Sequence, residues 1–165
     1  MREYDDYIRL TRQYLKKYNQ LKIAVQNLDD EIRAQEMLLE NESIPSVRYG
    51  DDAVSGGSGE LNVTEAAADR RIKAEKRIER MRQEKNELER ILRKIDRALD
   101  GVSDLEGEII RERYMEGRSW MEIAKTLNYT EKWTRDKGSK ALYDIALMVY
   151  GGMMRPVQLK IKFEN

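Results

Sequence analysis

The chain has 165 residues, 31 Lys plus Arg, 31 Asp plus Glu, no His and no Cys, so its formal net charge is zero. Without thiol or imidazole side chains it has no zinc finger, haem, iron–sulfur cluster, disulfide, Cys-protease site or His-based triad. Charged residues make up 38% and aromatics 7%, with two prolines; disordered chains and long solvated helices share this balance, and periodicity separates them.

No stretch approaches the run of about 18 apolar residues that a membrane helix needs. No apolar run follows Met1–Asp6, as a signal peptide would require. The expectation is a cytoplasmic protein with no membrane partner. The neutral total hides a gradient. Residues 64–99 carry 12 basic and 8 acidic side chains, whereas residues 104–150 carry 8 and 9.

Residues 3–40 carry a heptad with a at Tyr4, Thr11, Tyr18, Val25, Ile32 and Leu39, and d at Tyr7, Tyr14, Leu21, Leu28 and Gln35. Only Thr11 and Gln35 break the apolar stripe, and neither Gly nor Pro interrupts it, so the pattern predicts one long helix facing a partner. Residues 41–63 break the repeat. Pro45, Gly50, Asp51-Asp52 and the run Ser55-Gly56-Gly57-Ser58-Gly59 predict a flexible loop. A second heptad follows over 64–99, with a at Thr64, Arg71, Ile78, Lys85, Leu92 and Leu99, and d at Ala67, Ala74, Met81, Leu88 and Ile95. Two helices of matched length joined by a loop predict an antiparallel coiled-coil hairpin. Self-association of the same stripes between chains is the rival arrangement. The tyrosines at 4, 7, 14 and 18 read as packing residues, and the basic surplus over 70–97 as a solvated helix face.

Asp100-Gly101-Val102-Ser103 punctuates the chain. Ser103–Glu106 and Ser119–Glu122 each read as a capping box, in which the Ser oxygen accepts from the third backbone N–H and the Glu reaches back. The elements that follow are a helix to about Met115, a turn at Gly117, a short helix to about Leu127, a tight turn at Asn128-Tyr129, and a helix from about 131 to 149 capped by Thr130. Short helix, tight turn and second helix make the helix-turn-helix pattern, whose second helix fits a major groove about 12 Å wide. Residues 157–163 alternate apolar and polar and predict one short strand.

The residues Ile109-Ile110-Arg111-Glu112-Arg113-Tyr114, Gly117, Glu122-Ile123-Ala124, Leu127, Thr130 and Lys140-Ala141-Leu142 resemble region 4 of the sigma-70 family over about 45 residues. With the preceding helical regions and the loop Ser43–Tyr49, the layout resembles phage late transcriptional regulators of the RinA and ArpU type. The resemblance implies a DNA-binding activator of phage or prophage late genes, working in the bacterial host cytoplasm on double-stranded DNA and with bacterial RNA polymerase as a further partner. It places the DNA contacts at Thr130, Glu131, Lys132, Arg135, Asp136 and Ser139, with Arg118 and Lys140 on phosphate. Of these, Lys132 and Arg135 can donate to guanine O6 and N7.

The chain departs from that pattern at Thr134 and Lys137, where the family has apolar residues, and at Gly138, which costs about 1 kcal/mol relative to Ala in a helix. Trp133 then takes the core role through a small rotation of the helix, and both Trp120 and Trp133 are expected in the core. The fold expectation is all-α: a helical hairpin over 1–100, a helix-turn-helix domain over 101–150 and a tail over 151–165. A small terminase subunit of a phage is the second reading, and a pure protein-interaction module the third. A homo-oligomer through the heptads or the tail strand fits each of them. No cofactor, metal or catalytic residue is expected, since no phosphate-binding glycine loop follows a strand and no carboxylates converge.

Overall fold

The computed structural model describes residues 2–42 and 59–154, and every regular element among them is helical. Helix α1 spans Arg2–Glu42 and α2 spans Gly59–Asp100. Then come α3 (Asp104–Ile110), one π-helical turn (Arg111–Met115), α4 (Trp120–Leu127), α5 (Glu131–Tyr150) and a 3-10 turn (Gly151–Met154). The strand expected at 157–163 lies outside the described residues, as does most of the loop. Helix α1 extends to residue 42 and α2 starts at 59, so residues 41–42 and 59–63 are helical rather than loop. Neither Gly nor Pro occurs between Glu60 and Thr64 to stop the helix from starting early.

Packing divides the chain into two compact units, one of Met1–Lys22 with Arg90–Asn165, the other of Ile23–Glu89. The division therefore falls inside the two long helices, not after residue 100, because the start of α1 and the end of α2 share a core with α3 and α5.

In the unit Ile23–Glu89, α1 and α2 lie side by side in opposite directions. Ile32 and Ile78 are buried, and two ion pairs cross between the helices, Lys85 with Asp29 and Arg82 with Glu36. Lys85 occupies an a position of the heptad, and its pairing with Asp29 explains how the apolar stripe accommodates a charge. Asp29 also holds Arg33 at 2.5 Å. These cations, Lys85 first, hold the Asp29 carboxyl below the usual carboxylate range. Arg71 and Ala67 are exposed, so the stripe weakens towards the loop end of α2.

The other unit is built on one cluster: Leu15, Ile95, Ala98, Leu99, Ile110, Tyr114, Ala141, Leu142, Ile145 and Val149. Burying each large aliphatic side chain contributes about 1.5–3 kcal/mol. Burial of Ile109 and Ile110 on α3 and of Ile123 and Ala124 on α4, not intrinsic propensity, stabilises these two helices, which have seven and eight residues and are too short to persist alone. Leu15 lies off the predicted stripe yet is fully buried. Thr11, an exception in the heptad, is also buried, and its hydroxyl donates to the Tyr7 carbonyl at 2.8 Å. Tyr18 donates its phenol to Asp96. Burial and that acceptor push its pKa up to about 12. Tyr7 and Tyr150 pack with ring centroids 4.8 Å apart, and burial raises the Tyr150 phenol to about 12 as well.

The helix expected to run to Met115 does so, but its last turn is π-helical. The Glu116 N–H reaches the Arg111 carbonyl at 3.0 Å, and the Arg118 N–H reaches that of Glu112 at 3.0 Å. Gly117, at φ +77°, takes the left-handed conformation that this exit requires.

Candidate nucleic-acid interface

Helix α4 starts from Ser119. Its hydroxyl accepts from the Glu122 N–H at 3.3 Å, while the Ser119 N–H donates to the Glu122 carboxylate at 2.7 Å. The Ser119 hydroxyl also donates to the Glu122 carboxylate at 2.7 Å, and this bond first, with that from the Ser119 N–H, lowers the Glu122 pKa. The apolar side of α4 buries Ile123 and Ala124. The chain then reverses at Asn128, a left-handed residue at φ 57°. Tyr129 N–H closes the turn on the Ala124 carbonyl at 3.0 Å. Thr130 caps α5 by accepting from the Trp133 N–H at 3.2 Å. Each boundary matches its sequence signal: Ser at two N-caps, Asn at the C-cap, Thr at the third N-cap.

Helix α5 has two distinct sides. Thr134, Gly138, Ala141, Leu142, Ile145, Ala146 and Val149 are buried. Lys132, Arg135, Asp136, Ser139 and Lys140 are exposed and form one contiguous face over less than half of the helix circumference. Thr130 is exposed at the cap, and Glu131 is half-buried. Glu131 forms an ion pair with Arg135 one turn later.

The rotation that would bring Trp133 into the core does not occur. Thr134 stays on the buried side because its hydroxyl donates to the Thr130 carbonyl at 3.0 Å, which satisfies a polar group in the interior. Trp133 instead stacks on Tyr129 outside the core, with ring centroids 3.9 Å apart, and Lys137 Nζ lies 5.8 Å from its ring. Lys137 also reaches Glu106 at 3.4 Å. Gly138 is buried because α5 passes close to the indole of Trp120, which also meets Tyr114 in a T-shaped contact with ring centroids 6.3 Å apart.

Arg118, expected on phosphate, is committed to the protein. Its guanidinium pairs with Glu112 at 2.8 Å and donates to the Thr126 hydroxyl at 2.9 Å. The second carboxylate oxygen of Glu112 is buried without a hydrogen-bond partner.

A cleft of about 340 Å3 opens beside α5, lined by Arg12, Lys16, Arg113, Tyr114, Trp120, Arg135 and Ser139. Sequence reasoning selected Arg135 and Ser139 but missed the other three cations, Arg12, Lys16 and Arg113. Arg12 and Lys16 sit on α1, more than a hundred residues away, and only their spacing of one helical turn hinted at a common face. Among the described residues no group of three or more carboxylate, thiol or imidazole side chains could hold a metal ion, and no helix is long and apolar enough to cross a membrane.

Comparison with known proteins finds no match, whether to a family model, a curated protein or a solved structure.

Proposed function

We propose that the protein is a sequence-specific, double-stranded-DNA-binding transcriptional regulator, a phage or prophage late-gene activator in the manner of the sigma region 4-like proteins it resembles. The observation that supports this reading is the two-sidedness of α5. Its buried side is anchored by α3 and α4, and its opposite face presents Lys132, Arg135, Asp136, Ser139 and Lys140 to solvent from a capped first turn. In this reading α4, the Asn128 turn and α5 form a helix-turn-helix. The first turns of α5 enter the major groove, where Lys132 and Arg135 donate to guanine and Ser139 and Lys140 reach phosphate. The α1–α2 pair serves as a coiled-coil hairpin for self-association or for contact with RNA polymerase.

The test is selection of duplexes from a random pool by the full chain, followed by anisotropy titration of the selected duplex and a scrambled one. The expected result is a defined site bound at least tenfold more tightly than the scramble. That preference should fall towards unity in Lys132→Gln/Arg135→Gln. Equal affinity for both duplexes would overturn the reading. Light scattering on the same sample addresses the terminase alternative, which requires a large ring.

A further inference from the structure

The outward face of α5 is poor in net charge for a DNA-binding surface. Asp136 lies among its cations, and Glu131 pairs with Arg135. Residues 104–150 as a whole carry one more acid than base. Duplex DNA presents a phosphate about every 1.7 Å of helix axis, so a neutral surface gains little of the counterion-release term that dominates affinity. Cations from elsewhere in the fold have to supply it.

The cleft beside α5 contains such cations. Arg12 and Lys16 lie one turn apart on α1, both exposed, and neither has an ion-pair partner among the described residues. Across the cleft, Arg113 is already fixed in place. Its guanidinium carbon sits 5.0 Å from the centroid of the Trp120 ring, and it uses one N–H on the Arg118 carbonyl at 2.7 Å. A guanidinium has five N–H donors, so most of them remain for a ligand. Arg135 and Ser139 belong both to this cleft and to the exposed face of α5. Four cations and a hydroxyl thus line one concavity with no carboxylate among its lining residues, and it is continuous with the face proposed to read DNA.

From this arrangement we infer that the cleft between α1 and α5 seats a backbone phosphate of the bound duplex, held by Arg12, Lys16 and Arg113. The inference rests on the DNA-binding reading above and adds α1 to the DNA-contacting surface. Arg113, held against Trp120, loses little side-chain freedom on binding, whereas Arg12 and Lys16 close onto the phosphate from the opposite wall. The contact is independent of base sequence, so it contributes affinity and register but no discrimination.

The experiment compares Arg12→Gln/Lys16→Gln with a control that removes two exposed charges elsewhere in the same unit, Lys17→Gln/Lys94→Gln, each in the full chain. Affinity for the selected and scrambled duplexes is measured across a salt series. The cleft variant should bind both duplexes about tenfold more weakly at about 150 mM salt, with the slope of log K against log salt reduced by roughly one to two. Its preference for the selected duplex should stay within twofold of that of the natural chain, and the control should keep most of its slope. If the cleft variant retains the slope of the natural chain, or the control loses as much, the phosphate seat is overturned while the DNA reading stands. If the natural chain binds no duplex even at low salt, the DNA reading itself fails and the seat with it.

Discussion

Gly138 lies directly against Trp120: a Cβ at residue 138 would stand 2.6 Å from the indole Cη2 and 2.7 Å from Cζ3, with Ile109 Cγ2 at 3.1 Å. The glycine is therefore a packing requirement and not a flaw in the helix. Replacing it by alanine gains about 1 kcal/mol of helix propensity. It also forces a rigid ring, already held by Tyr114 and Arg113, to move, and overpacking of this kind costs about 1–3 kcal/mol. The expected net result for Gly138→Ala is a loss of about 1 kcal/mol, seen as a drop of roughly 2–4 °C in the thermal midpoint. A rise in the midpoint would mean that the indole yields freely.

The Arg118–Glu112 pair makes a second prediction, because it separates a structural cation from a DNA-contacting one. The two side chains are 34% and 13% exposed, so the pair is neither fully solvated nor fully buried. Removing the arginine leaves a largely buried carboxylate without its partner. A cost of about 2 kcal/mol follows, between the limits for exposed and buried pairs. Arg118→Ala should therefore lower the melting midpoint by several degrees, and Glu112→Gln in the same chain should recover part of the loss. The salt slope of DNA binding should stay the same; a fall of about one would place Arg118 on phosphate instead.

The helix boundaries were legible in the sequence wherever a local signal sets them. Ser103, Ser119, Thr130 and Asn128 each cap a helix through their own side chain or backbone, within three residues, and each appears where the pattern put it. What depends on distant partners was not legible. Trp133 reads as a core residue until Thr134 is known to satisfy its hydroxyl on Thr130. Lys85 at an a position reads as a defect until Asp29 is opposite it. Leu15 lies one residue off the heptad stripe, and it is buried in the cluster that the end of α2, α3 and α5 form with the start of α1. The one-turn spacing of Arg12 and Lys16 puts those two on one face, but only tertiary packing brings Arg113 to them.

Acid should loosen α3 and α4 through their caps. The Ser103 and Ser119 hydroxyls, with the backbone N–H groups behind them, lower the pKa values of Glu106 and Glu122 from 4.5. A depressed folded pKa means that the stabilisation is complete above the unfolded value, near pH 4.5, and is lost as pH falls through the folded one. Loss of a serine N-cap costs about 1 kcal/mol at neutral pH. The thermal midpoint of Ser103→Ala should therefore lie a few degrees below that of the natural chain from pH 7 to 5, and the gap should narrow below pH 4.5. A gap that stays constant down to pH 3 would remove the carboxylates from the account.

Lys85 offers the sharpest test of what sets the pairing of α1 with α2. It occupies an a position, where coiled coils usually carry apolar residues, and a polar residue there commonly fixes register and oligomeric state at some expense in stability. Asp29 keeps Arg33 at 2.5 Å if Lys85 is replaced, so the carboxylate is not abandoned. Lys85→Met should accordingly leave the melting midpoint unchanged or raise it, since an apolar side chain of similar length often packs at least as well as the ion pair. The loss should appear in specificity: light scattering should find a broader distribution of assembly states than for the natural chain. Lys85→Glu, by contrast, places one new carboxylate beside both Asp29 and Glu89, which Lys85 approaches at 3.9 Å, and should lower the midpoint clearly. If Lys85→Met melts well below the natural chain while its assembly state stays uniform, the ion pair contributes stability and not register.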